Sequence, residues 1–181
     1  MLYDIPLQRI DGTSTTLSPF KGKVLLIVNV ASKCGLTPQY TGLEKLYQSK
    51  RLSGLEVLGF PANNFMGQEP GTDAEIRSFC STAYDVHFPL FSKISVVGSD
   101  QHPLYTKLIA AQPAATGEGA MRAKLAAHGI SAQSKTDVLW NFEKFLVGRD
   151  GKVVARFAPD IAPDDSRLVA AIDAELAKTA H

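Results

Sequence analysis

The chain is poor in cysteine: Cys34 and Cys80 are the two among 181 residues. They stand far apart, and the four histidines, His87, His102, His128 and His181, are scattered, so no zinc-ligand spacing is present. The formal net charge is only +1, which gives no reason to expect nucleic acid or an anionic membrane as a partner. No apolar run reaches ~18 residues, so no spanning helix is expected. Met1–Pro6 lacks the basic and apolar regions of a secretory signal. The expected localisation is therefore cytoplasmic, where cysteines are more often free or reactive than locked in structural disulfides. Repeats and low-complexity tracts are absent. With 45% hydrophobic and 20% charged residues, the chain is expected to form one domain, 1–181, with a full core.

Alternating apolar patches and turn signals divide the chain. Residues 4–9 and 14–17 flank Asp11-Gly12, a hairpin signal. Val24–Val30 is a continuous apolar run, as in a strand covered on both faces. Leu43, Leu46 and Tyr47 set a helix over 38–52, and 55–60 reads as a second buried strand stopped by Pro61. Thr72-Asp-Ala-Glu75 is a capping box that opens a helix to about Thr82, with Cys80 near its end. A short strand is expected over 91–97 and helices over 103–111 and 119–128, with 112–137 otherwise irregular. Residues 142–147 and 152–157 flank Gly148–Gly151 as a hairpin, and 164–178 is a closing amphipathic helix. Strand–helix–strand units followed by a hairpin give a mixed sheet with helices on both faces, α/β in class and thioredoxin-like in arrangement.

Cys34 sits between the first central strand and the Thr37-Pro38 helix start, expected as N-cap hydroxyl and first-turn proline. Free N–H groups and the positive end of a helix dipole favour thiolate over thiol there. Two polar segments can approach such a sulfur. The loop Phe60–Pro70 leaves a parallel strand at the same sheet edge and carries Asn63 and Gln68. Leu139–Phe142 carries the lone tryptophan, Trp140, beside Asn141. Gln68, Trp140 and Asn141 all donate N–H without carrying charge, so they stabilise a thiolate without competing for it. Asn63 is read as a residue that holds its turn.

Asn29–Gly35, Phe60–Pro70 and Trp140–Leu146 resemble the three signature motifs of the glutathione peroxidase family, with further landmarks at Phe88–Phe91 and Arg156-Phe157. The resemblance runs from about residue 3 to 176 and looks closest to bacterial members that use thioredoxin. It implies a thioredoxin-like fold and a catalytic tetrad of Cys34, Gln68, Trp140 and Asn141, with Cys34 where many animal members carry selenocysteine. Cys80 falls at the resolving cysteine of the thioredoxin-dependent members. Three departures stand out: Ala62 where many cysteine-type members have another cysteine, Asn64 for Gln, and Met66 for Gly. The segment 112–137 is longer than in minimal monomeric members and resembles one by which longer members associate, which leaves monomer and weak homo-oligomer both open.

The reading that follows is a thiol peroxidase. Cys34 thiolate reduces hydrogen peroxide or an organic hydroperoxide and becomes a sulfenic acid. Cys80 condenses with it to a disulfide, and thioredoxin reduces that disulfide. No metal or organic cofactor is required. The alternatives are direct reduction by glutathione with Cys80 idle, and a redox sensor that passes oxidation to a partner protein. The reduced protein is expected to keep Cys34 and Cys80 apart in separate elements, with the Cys80 helix intact.

Overall fold

The computed structural model describes residues 1–132 and 134–179. A two-residue hairpin comes first, β1 (Leu7–Gln8) against β2 (Ser14–Thr15). It is shorter than the expected 4–9 and 14–17. Then follow β3 (Val24–Val30), α1 (Gln39–Lys50), β4 (Leu55–Pro61), α2 (Asp73–Tyr84), α3 (Pro103–Ala111), α4 (Glu118–Ala126), β5 (Lys144–Val147), β6 (Val153–Phe157) and α5 (Ser166–Leu176). The main sheet has the order β4-β3-β5-β6. β3 and β4 run parallel through the α1 crossover, and the late hairpin adds β5 and β6 antiparallel.

β3 explains the layering. All seven of its residues are buried, so alternate side chains enter two different cores. Val24, Leu26, Val28 and Val30 meet Tyr40 and Leu43 of α1, Ile76 and Cys80 of α2, and Leu168 and Ile172 of α5. Leu25 and Ile27 face the other way, against Leu104, Tyr105 and Leu108 of α3. Truncating any of these leucines to alanine would cost roughly 2–5 kcal/mol.

The expected strand over 91–97 does not form. Leu90 and Phe91 make isolated bridges to Gly59 and Arg9; beyond them the Ser92 and Ile94 N–H groups donate to Gln8 O and Pro61 O, while those of Lys93 and Val96 go to side chains. Asp73 accepts from Ser92 and from the Lys93 N–H, and the Asn64 amide oxygen accepts from the Val96 N–H. Polar side chains thus take part of the pairing that a continuous neighbouring strand would supply, so apolar content alone misleads there.

Lys144 of β5 is fully buried. Its ammonium donates to Gln39 Oε1 at 2.7 Å, Pro159 O at 2.9 Å and Ile161 O at 2.6 Å, which joins the start of α1 to the chain after β6. Burial pulls its pKa down to about 7.

Candidate active site

Cys34 lies in the tight turn that carries the chain from β3 into α1. Thr37 Oγ1 donates to Ala31 O at 2.8 Å and accepts from the Cys34 N–H at 2.9 Å. The Leu36 N–H donates to Cys34 Sγ at 3.3 Å, a bond that strengthens as sulfur gains negative charge. The thiol is half-buried and free. The expected N-cap role of Thr37 is corrected here. Its hydroxyl is spent inside the Cys34 turn, and the cap position falls on Pro38, which makes no side-chain cap. The turn instead feeds the helix through backbone bonds from Thr37 N to Cys34 O and from Tyr40 N to Thr37 O.

The loop after β4 is fastened to this turn by its backbone. The Lys33 N–H donates to Gln68 O at 3.0 Å. Asn63 Oδ1 accepts from the Glu69 N–H at 2.9 Å, so Asn63 holds the loop, as its turn-forming chemistry suggests. Met66 and Gly67 take φ values of 55° and 60°. The loop thus keeps two successive left-handed residues although one of them is not glycine.

The third segment arrives between the sheet and this loop. Asn29, at the end of β3, donates from Nδ2 to Trp140 O at 3.1 Å, and its carbonyl accepts from the Phe142 N–H at 2.7 Å. Phe142 has φ 70°, so the chain turns sharply before β5 begins at Lys144, two residues later than the expected start. Asn141 is fully buried and donates from Nδ2 to Gln68 Oε1 at 2.9 Å. This leaves the Gln68 amide N–H groups for another acceptor. Trp140 is half-buried, with its ring 5.5 Å from that of Phe65, and among the described residues its indole N–H has no acceptor.

Of the expected site residues, Gln68 and Asn141 therefore touch directly, Trp140 precedes Asn141 in the chain, and Gln68 is tied to the residue before Cys34. Asn29 was missed as a positioning residue. The available signal was a lone amide inside an otherwise apolar buried strand, since such a group needs a partner. Glu143 was missed too. It is buried, accepts from the Leu139 N–H at 3.1 Å and pairs with Arg156 Nε at 2.6 Å. Burial pushes its carboxyl up while Arg156 pulls it back down. The other Arg156 nitrogens reach Gln112 O and Asp137 O, each at 3.0 Å.

Cys80 is on α2, only 1% exposed, with its thiol also free. Burial raises its pKa to about 11, which the Tyr40 hydroxyl beside it opposes and the Glu69 charge reinforces. α2 is intact around it and opens with the expected capping box at Thr72 and Glu75. Among the described residues no group of three His, Cys, Asp or Glu side chains could hold a metal ion. Nor is any helix among them long and apolar enough to cross a membrane.

The glutathione peroxidase family profile matches residues 2–109. The chain belongs to the glutathione peroxidase family. It is 54% identical over 171 residues to the thioredoxin/glutathione peroxidase BtuE of Escherichia coli (strain K12), covering 93% of each chain. It is 46% identical over 164 residues to the hydroperoxy fatty acid reductase gpx1 of Synechocystis sp. (strain ATCC 27184 / PCC 6803 / Kazusa), covering 91% of this chain and 90% of that one. Among solved structures, Trgpx in apo form matches with a TM-score of 0.73 and 34% identity over 99% of this chain and 97% of its own. A thioredoxin-family thiol:disulfide interchange protein from Chlorobium tepidum TLS matches with a TM-score of 0.58 at 13% identity, a likeness of fold. The glutathione peroxidase chain is thus an enzyme of the peroxidase class on a thioredoxin-like fold.

Proposed function

We propose that the chain, as a single domain acting in the cytoplasm, reduces hydroperoxides through Cys34. The thiolate attacks the distal peroxide oxygen, the O–O bond breaks, and the leaving oxygen takes a proton to depart as water or alcohol. Cys34 is left as a sulfenic acid. Gln68, Trp140 and Asn141 supply neutral N–H donors to the sulfur and to the oxygen that gains charge. The observation that carries this reading is the chain of contacts from Lys33, beside Cys34, to Gln68 O, and from Gln68 Oε1 to Asn141. It holds an amide with free donors at the end of β3.

In the second half-reaction the Cys80 sulfur displaces hydroxide from Cys34 sulfenic acid. One water leaves and a Cys34–Cys80 disulfide forms, which a thioredoxin dithiol reduces. Cys80 is buried in α2 and disfavours its thiolate, so this step requires α2 to open locally. The same burial is what favours the second reading, in which glutathione reduces the sulfenic acid and Cys80 stays folded away.

Mass spectrometry of the protein after one equivalent of hydrogen peroxide tests the scheme. A Cys34–Cys80 disulfide is expected, and the Cys80→Ser variant is expected to consume one equivalent and then stall with thioredoxin. Undiminished thioredoxin-dependent turnover by Cys80→Ser would remove the two-cysteine route and favour glutathione. Peroxide consumption that survives Cys34→Ser would remove the Cys34 assignment itself.

A further inference from the structure

A pocket of about 460 Å³ adjoins the site and has no part in the chemistry so far. It lies within the usual size range for small-molecule pockets. Its apolar wall includes Phe65, Val97, Val138 and Trp140. Trp140 is shared with the candidate site, so a molecule in the pocket lies against one of the proposed donors. The charged side chains that line it are Asp100 and Asp137, and no Lys, Arg or His is among the described lining residues. Both carboxylates are held in place. Asp100 Oδ1 accepts from Ser95 Oγ at 2.9 Å, and Asp137 Oδ2 from the Ser134 N–H at 3.1 Å.

We infer that this pocket receives the organic part of a hydroperoxide, and that Asp100 and Asp137 select uncharged organic parts over carboxylate-bearing ones. The inference rests on the peroxidase reading above. An apolar tail gains by leaving water against Phe65, Val97, Val138 and Trp140. A tail that carries its own carboxylate brings a third negative charge to a concave site whose described lining holds two and offers no cation to offset the repulsion. Hydrogen peroxide, which has no tail, is indifferent to both effects.

The test uses an eight-carbon alkyl hydroperoxide with a terminal carboxylate, its methyl ester, and hydrogen peroxide, each reacted with the reduced full chain under single-turnover conditions. At low ionic strength the ester is expected to react about tenfold faster than the acid, and the ratio should shrink as salt screens the carboxylates. Asp100→Asn and Asp137→Asn keep the oxygen acceptors and should shrink the ratio further, with the hydrogen peroxide rate as the internal reference. Val97→Trp, which fills the pocket, should slow the ester several-fold but not hydrogen peroxide. Equal acid and ester rates in the parent protein, or a ratio unchanged in the double Asn variant, would overturn the proposal while leaving peroxide reduction standing. Failure of the parent to reduce hydrogen peroxide through Cys34 would instead remove the underlying peroxidase reading, and the pocket's role with it.

Discussion

Asn141 Nδ2 donates to Gln68 Oε1 at 2.9 Å, a contact that joins residues 73 apart in the sequence. Because Asn141 occupies the oxygen of Gln68, it fixes which way the Gln68 amide faces. Removing either side chain should therefore do more than delete one donor. Gln68→Ala and Asn141→Ala are each expected to slow the reaction with hydrogen peroxide by roughly 1–4 kcal/mol of activation free energy. The double variant should lose less than the sum of the two, because each change also undoes the other's effect. Stopped-flow rates for the four proteins close the cycle, and full additivity would mean that the two amides act independently.

Glu143 and Arg156 form a pair with both side chains almost completely buried. Arg156→Met leaves the Glu143 carboxylate in the core without its partner, at an expected cost of about 3–5 kcal/mol at neutral pH. Glu143→Gln in the same chain should recover part of that loss, since a neutral amide is cheaper to bury. Urea unfolding of the three proteins measures both effects. A single Arg156→Met change of less than 1 kcal/mol would contradict the buried-charge account.

Cys80 gives a pH signature. Its pKa rises on folding from an ordinary value of 9.0 to about 11 because the thiolate is poorly solvated in the core. The folded state therefore holds this proton longer than the unfolded state does. The stabilisation is fully present below pH 9 and is lost as pH climbs through about 11, on the order of 2 kcal/mol in total. In reduced protein, Cys80→Ala should have a flatter stability profile than the parent across that window. Identical slopes would show that Cys80 titrates alike in both states.

Met66 carries φ 55° in a loop where an L side chain crowds the backbone. It is also 74% exposed, so little packing is lost on truncation. Met66→Gly is expected to stabilise the fold by about 0.5–1 kcal/mol, the relief of strain being offset by glycine's greater freedom when unfolded. Thermal unfolding at fixed pH checks this, and a lower Tm would mean that the Met66 side chain contributes contacts that outweigh its strain.

The sheet was legible because its central strands are buried on both faces and read as unbroken apolar runs; Val24–Val30 has the expected limits. Helices with local punctuation were equally plain, such as Asp73–Tyr84 behind its capping box and Pro103–Ala111 behind its proline. Thr37 was misread because a hydroxyl before a proline satisfies the rule for a helix cap, and only the folded turn shows that the Cys34 N–H takes it first. Of the candidate site, Gln68, Trp140 and Asn141 were singled out by motif resemblance and donor chemistry, and the structure joins two of them, Gln68 and Asn141, in one hydrogen bond. Asn29 and Glu143 were not, because their work is to hold other residues through contacts that close only in three dimensions.

One guanidinium gathers both ends of the long segment before β5, since Arg156 binds Gln112 O and Asp137 O at once. The chain between those two carbonyls is in effect a cassette plugged into a fixed socket. Closing such a loop costs free energy that grows only with the logarithm of its length. Material can be added there with little burden on the sheet, whereas deletion would uncover the core residues that Met121 and Leu125 of α4 protect. The same chassis can therefore be fitted with segments of different length that reshape the wall beside Trp140, leaving the β3 turn and its cysteine as they are.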